Sequence, residues 1–151
     1  MLKNMLSEDL IILNVEGDDF KDVVKNVSKK LKEKGLINEK YENAVMERET
    51  KFPTGLMTKF INVAIPHTDP EHIKQPFVCV VKTKELINMK QMGDNQEIKV
   101  KDFFFLGITE PKKQVSLLKE IIDLLMNDSF VLEYKDSNNK KQVMSTIENF
   151  L

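Results

Sequence analysis

The sequence predicts an α/β domain in which helices flank a mixed parallel and antiparallel β-sheet. Short runs of branched and aromatic residues alternate along the chain with longer stretches whose apolar residues recur at helical spacing, the pattern of a sheet layered with helices. The turn signal Gly93-Asp94-Asn95 lies between two strand candidates, so part of the sheet is a hairpin and the sheet is not purely parallel. At 151 residues and 41% apolar composition, the chain is expected to form one domain over residues 1–151, large enough to bury a core without disulfide or metal.

The elements follow in order. Leu10–Val15 is rich in branched residues and ends at Glu16-Gly17, as a buried strand does. Asp18 or Asp19 can cap a helix in which Phe20, Val23, Val24, Val27 and Leu31 form one apolar stripe, and Gly35 ends it. Lys29, Lys30, Lys32 and Lys34 suit the negative end of that helix dipole and read as a solvated face or, alternatively, a partner-binding patch. A second helix is expected from a cap at Asn38 to about Glu49, broken by Phe52-Pro53-Thr54-Gly55. Ile61–Ile65 reads as a short strand ending at Pro66-His67, and Pro70 and Pro76 keep the next residues out of a regular helix.

Phe77–Thr83 reads as a central strand, with further strands near Leu86–Lys90 and Glu97–Val100 on either side of the turn. Phe103–Ile108 is the most apolar run and is expected to be buried on both faces. A helix starting near Pro111 should place Val115, Leu118, Ile121, Ile122 and Leu125 inward and end around Asn127-Asp128. After the polar stretch Lys135–Lys141, a last helix carries Val143, Met144, Ile147 and Phe150.

Charge and composition exclude several functions. Lys plus Arg number 23 against 24 Asp plus Glu, a net charge of −1, which gives no field for nucleic acid or anionic lipid. No apolar run approaches the ~20 residues of a membrane span, so no direct membrane insertion is expected. Lys3, Ser7, Glu8 and Asp9 interrupt any signal-peptide core, and the lone Cys79 sits in an apolar run as a buried hydrophobe. A cytoplasmic location is the expectation.

The chemistry concentrates in Ala64-Ile65-Pro66-His67-Thr68-Asp69-Pro70-Glu71-His72, which holds both histidines of the chain. Three readings stand open. Both imidazoles can be plain loop residues. A zinc site from His67, Asp69, Glu71 and His72 suits by residue type. Its geometry is poor, because the histidines are five apart with Pro70 between them and no third His or Cys exists to complete the shell. In the third reading one ring nitrogen is a nucleophile towards phosphorus or an acyl carbon while the other is fixed by a hydrogen bond. Phosphoryl transfer further needs donors around the oxygens, and Glu47–Gly55 offers Arg48, hydroxyls and a glycine-bearing turn.

Arg48-Glu49, then Phe52-Pro53-Thr54-Gly55-Leu56, then Ala64-Ile65-Pro66-His67 resembles the IIA components of the fructose–mannitol superfamily in the bacterial phosphoenolpyruvate-dependent sugar phosphotransferase system. The Phe-Pro-Thr-Gly-Leu spelling is most similar to galactitol-type members, and the order of strands and helices follows the family over nearly the whole chain. The resemblance implies a three-layer IIA fold and makes His67 the exposed residue that accepts a phosphoryl group from the phosphocarrier HPr. It also makes His67 the donor to a cysteine of a IIB component, with the membrane IIC component involved only indirectly and no cofactor.

By the same resemblance Arg48 matches the family's arginine, able to hold two phosphoryl oxygens; an exposed helix arginine paired with Glu47 or Glu49 is the alternative. Thr54 falls where the family has Ser or Thr and either donates to a phosphoryl oxygen or shapes the turn. Gly55 allows close backbone approach or simply stops the helix. Many relatives carry a second active-site histidine at the start of the helix after the buried strand; here that place holds Gln114, which can donate a hydrogen bond but carries no charge. His72 does not align with it. Phe52, Leu56, Met57 and Phe60 are candidates for an apolar docking rim or for packing under the loop. The module also occurs in regulatory proteins, where the same phosphorylation signals without transport.

Overall fold

Alternation along the most apolar run dictates the layering. In the computed structural model, which describes residues 1–151, strand β5 (Glu97–Gly107) sends Phe103 and Phe105 to one side and Phe104 and Leu106 to the other, all four almost fully buried. Each buried ring contributes roughly 1.5–3 kcal/mol. Two apolar clusters therefore form, one on each face of the sheet.

The sheet has five strands: β1 (Ile11–Val15), β2 (Gly55–Met57), β3 (Asn62–Ala64), β4 (Phe77–Lys90) and β5, in the order β1-β4-β5-β3-β2. β1 runs parallel to β4 and β3 parallel to β5, while β4 with β5 and β2 with β3 are antiparallel. The expected mixed sheet is thus present. On one face lie α2 (Phe20–Glu33), through Val23, Val24, Val27 and Leu31, and α3 (Tyr41–Lys51), through Tyr41 and Val45. On the other lie α4 (Pro111–Leu125), α5 (Asp128–Lys135) and α6 (Lys140–Asn149), packed through Leu117, Ile121, Phe130, Tyr134, Val143 and Ile147; the four-residue α1 (Leu2–Met5) adds Leu2. Asp19 caps α2 by accepting from the Asp22 amide at 2.9 Å, and Gly35 beyond its end takes the left-handed φ of 71° that favours glycine.

Several expectations are corrected. The separate strand candidates on each side of the hairpin fuse into two long strands, because Lys82 and Asp102, which interrupt the apolar pattern, face each other across the ladder and pair at 2.8 Å. β4 is an interior strand as expected, flanked by β1 and β5, and β5 stands at the middle of the order. β2 and α5 were not anticipated. The second helix starts at Tyr41, and Asn38 instead accepts from the Lys40 amide at 2.9 Å and donates to the Glu71 carbonyl at 3.1 Å. In α4, Val115 is 71% exposed while Leu117 and Leu124 face the core, since the buried face runs through Leu117, Ile121, Leu124 and Leu125 and Val115, two residues before Leu117, points away from it.

Candidate functional site

The site lies at the end of the sheet where β3 leaves and β5 finishes. After Ala64, paired with Phe103, the chain stays against β5 because the Leu106 amide donates to the Pro66 carbonyl at 3.0 Å. Pro66 has no N–H to offer, but its carbonyl keeps the ladder going for two residues and so fixes where His67 begins.

His67 is buried, 9% exposed, which corrects the expectation of a freely exposed ring. The ring turns back on its own strand: Nδ1 lies 2.7 Å from the Ile65 carbonyl oxygen. A carbonyl only accepts, so Nδ1 carries the proton and the lone pair sits on Nε2. No protein group bonds to Nε2, and that atom is not sealed from solvent, so the Nε2 edge of an otherwise buried ring is left reachable. Burial lowers the pKa of His67 below the usual imidazole value; the Ile65 bond opposes this, the Arg48 charge adds to it, and Asp69 opposes it. The neutral, nucleophilic form is therefore favoured near neutral pH.

Beneath the ring runs a chain of short hydrogen bonds that sequence reasoning missed. The Glu49 carboxylate accepts from the Thr54 amide at 2.7 Å and from the Thr54 hydroxyl at 2.8 Å, and that hydroxyl in turn accepts from the Ile65 amide at 3.1 Å. Glu49 at the end of α3 is thereby linked through Thr54 to the residue whose carbonyl holds His67. Burial raises the Glu49 pKa, with the two Thr54 bonds and the Arg48 charge working against it. The Thr54 hydroxyl proton is committed to Glu49 in this arrangement. Glu49 sits in the charge-dense helix end Glu47–Lys51, where every carboxylate looks solvated; its place in the Arg48-Glu49 pair and a Thr five residues on, past a Pro, are the signals that mark it.

Arg48 borders a cleft with Phe52, Thr68, Asp69, Glu71 and His72. Its guanidinium lies 3.4 Å from the Asp69 carboxylate and 5.3 Å from the centre of the exposed Phe52 ring, while its buried Nε has no partner. Thr68, next to His67 and buried, also lines this cleft and was not anticipated. Gln114 lies half-buried in the first turn of α4, which follows the same end of β5; its amide donates to Glu110. His72 is held in the loop, its Nε2 3.4 Å from Glu71 and its buried Nδ1 without a partner. No group of three or more His, Cys, Asp or Glu side chains converges in a geometry that could hold a metal ion. Of the apolar rim, Phe52 is at the cleft, whereas Met57 and Phe60 border a cavity at the opposite end of the sheet.

Comparison with known proteins gives the same fold and a family. Residues 4–150 match the family model described as phosphoenolpyruvate-dependent sugar phosphotransferase system, EIIA 2. The galactitol-specific EIIA component of Escherichia coli K12 is 25% identical over 113 residues, 75% of each chain. Among solved structures, the Escherichia coli mannitol enzyme IIA in complex with phosphorylated mannitol enzyme IIB aligns with a TM-score of 0.75 at 16% identity, over 95% of this chain and 97% of the other. The nitrogen regulatory protein IIA-Ntr of Neisseria meningitidis aligns with a TM-score of 0.78 at 20% identity, over 96% and 97%. No helix is long and apolar enough to cross a membrane.

Proposed function

The chain belongs to the EIIA type 2 family of the phosphoenolpyruvate-dependent sugar phosphotransferase system, whose members relay phosphoryl groups, and on that premise we propose that His67 is the residue that carries the group. It accepts the phosphoryl from phospho-HPr and passes it to a cysteine of a IIB component, in the cytoplasm, with residues 1–151 acting as one domain. The observation that carries this reading is the Nδ1 bond to Ile65, which leaves the Nε2 lone pair free of any protein partner.

In the first step Nε2 attacks phosphorus in line, the phosphorus–nitrogen bond forms, and the bond to the donor breaks. In the second, a thiolate sulfur attacks phosphorus and the bond to Nε2 breaks, returning the neutral ring. The proton stays on Nδ1, donated to the Ile65 carbonyl, throughout. Arg48, held in the cleft by Asp69 and Phe52, turns its donors to two phosphoryl oxygens, Thr68 in the same cleft is a neutral donor, and Gln114 offers a second from the helix that follows β5. Thr54 acts with Glu49 to position the Ile65 carbonyl. The galactitol-specific relatives support a hexitol such as galactitol as the transported sugar. The alternative is a regulatory protein that signals through the same phosphorylation.

The test is label transfer from phosphoenolpyruvate with enzyme I and HPr. His67→Ala should accept no label while keeping its circular dichroism, and Arg48→Ala should accept it slowly. His72→Ala should behave as the parent. Labelling of the His67 variant at the parent's rate would end the proposal. Passage of label to a galactitol-type IIB cysteine favours transport; a protein that loads but does not unload onto IIB favours the regulatory role.

A further inference from the structure

A cavity of about 760 Å³ lies at the end of the sheet away from His67 and shares no lining residue with the Arg48 cleft. Its position follows from the fold. Beyond the Lys82–Asp102 pair, the β4–β5 hairpin still has Ile87, Met89, Ile98 and Val100 packed on the α2–α3 face, while Leu86, Lys99 and Lys101 are exposed. The opposite face of the hairpin is therefore a ledge, walled by the β2–β3 loop and by the end of α5.

Five lysines line this cavity against one carboxylate, in a chain whose net charge is −1. The one carboxylate, Asp102, is already neutralised by Lys82 at 2.8 Å, and Lys82 also lies 4.0 Å from the centre of the Tyr134 ring. The other four, Lys59, Lys99, Lys101 and Lys135, form no ion pair. They come from three separate elements, so their convergence is a product of the fold and not of a basic run. Between them lies an apolar floor made by Leu13, Met57, Phe60, Ile61 and Leu86. Like charges gathered around a concave surface repel one another, and an anion relieves that repulsion. The volume falls within the roughly 300–1,000 Å³ of small-molecule sites.

We infer that this cavity binds a small polyphosphorylated ligand with an apolar or aromatic body, of nucleotide size, its phosphates held by Lys59, Lys99, Lys101 and Lys135 and its body resting on the Met57–Phe60 floor. Ammonium groups bind phosphate as point charges, and several separated ones match a polyanion better than a single carboxylate. The inference stands independently of the role of His67.

The experiment is an NMR titration of the isotope-labelled protein with adenosine triphosphate and, separately, with pyrophosphate. Saturable shifts are expected at the amides of Asn62, Lys99–Asp102 and Lys135–Asn138, with the nucleotide binding more tightly than pyrophosphate. Charge reversal in Lys99→Glu/Lys101→Glu should weaken binding by roughly tenfold or more, whereas Lys29→Glu/Lys32→Glu on α2 should not change it. Shifts spread equally over the α2 lysines, the absence of saturation with both probes, or an unaffected Lys99/Lys101 variant would each overturn the inference. Equal affinity for pyrophosphate and nucleotide would remove the apolar floor from it.

Discussion

Because the Ile65 carbonyl can only accept, the 2.7 Å contact commits the proton of His67 to Nδ1 and makes the reactivity of Nε2 depend on keeping the ring neutral. Burial, aided by Arg48, holds the pKa below the ordinary value near 6.5. Phosphorylation of His67 should therefore persist into mild acid and fall only as pH drops through the lowered value. Arg48→Ala removes one of the lowering influences and should shift the ring titration upward; an NMR titration of the His67 ring protons that shows no upward move in the variant would contradict this. The sign for stability follows. The unfolded chain binds the proton more readily, so this contribution is complete above about 6.5 and is lost as pH falls through the folded value. Thr54→Val tests the chain beneath the ring. The substitution keeps the shape but orphans the Ile65 amide and one Glu49 oxygen, at a cost of about 1–3 kcal/mol in urea unfolding, with slower labelling of His67. A variant as stable as the parent would mean that water replaces the hydroxyl.

At the scale of elements, β2 shows how three residues can position a site. A Cβ added at Gly55 would collide with the Lys90 carbonyl oxygen, and the Gly55 carbonyl accepts from Met92 at 2.8 Å, so this strand passes against the far end of β4 with no room for a side chain. The close approach read as one option from the sequence is what the packing requires. Gly55→Ala should cost about 1–3 kcal/mol by forcing the strand away, and should slow His67 labelling because Thr54 moves with it; an unchanged urea midpoint would refute the argument. The same strand was illegible in the sequence, since Gly-Leu-Met has no periodicity of its own and becomes a strand only by pairing with Asn62–Ala64. α5 escaped for a related reason: its buried positions Phe130, Val131 and Tyr134 span barely more than one turn, and Asn127, read as the end of α4, caps α5 by accepting from the Phe130 amide. The α2 stripe, by contrast, extends over three turns with caps at both ends and was read correctly. His67 and Arg48 were likewise visible as residue types, whereas the role of Glu49, present in the Arg48-Glu49 pair, was not, because a buried carboxylate is recognised by what covers it and not by its neighbours in the chain.

For the whole molecule, the two clusters meet only through the sheet, and β5 is the strand that serves both. Phe105 stacks with Phe20 of α2 at 6.4 Å and lies 6.0 Å from Phe103, while Phe104 lies 5.8 Å from Tyr134 of α5. Truncating either ring to alanine leaves a large cavity in one layer and should cost about 3–5 kcal/mol, against a total stability of the order of 5–15 kcal/mol for a domain. The two side chains point to opposite faces and share no ring partner, so the costs should nearly add, to about 6–10 kcal/mol, and Phe104→Ala/Phe105→Ala should lose most of the stability of a domain in the middle of the range of about 5–15 kcal/mol. Urea unfolding followed by circular dichroism measures the singles and circular dichroism alone the double. If Phe104→Ala loses only the α4–α6 signal in a separate early transition, the two layers unfold independently, and the sheet is not the shared element that cooperative folding of this architecture requires.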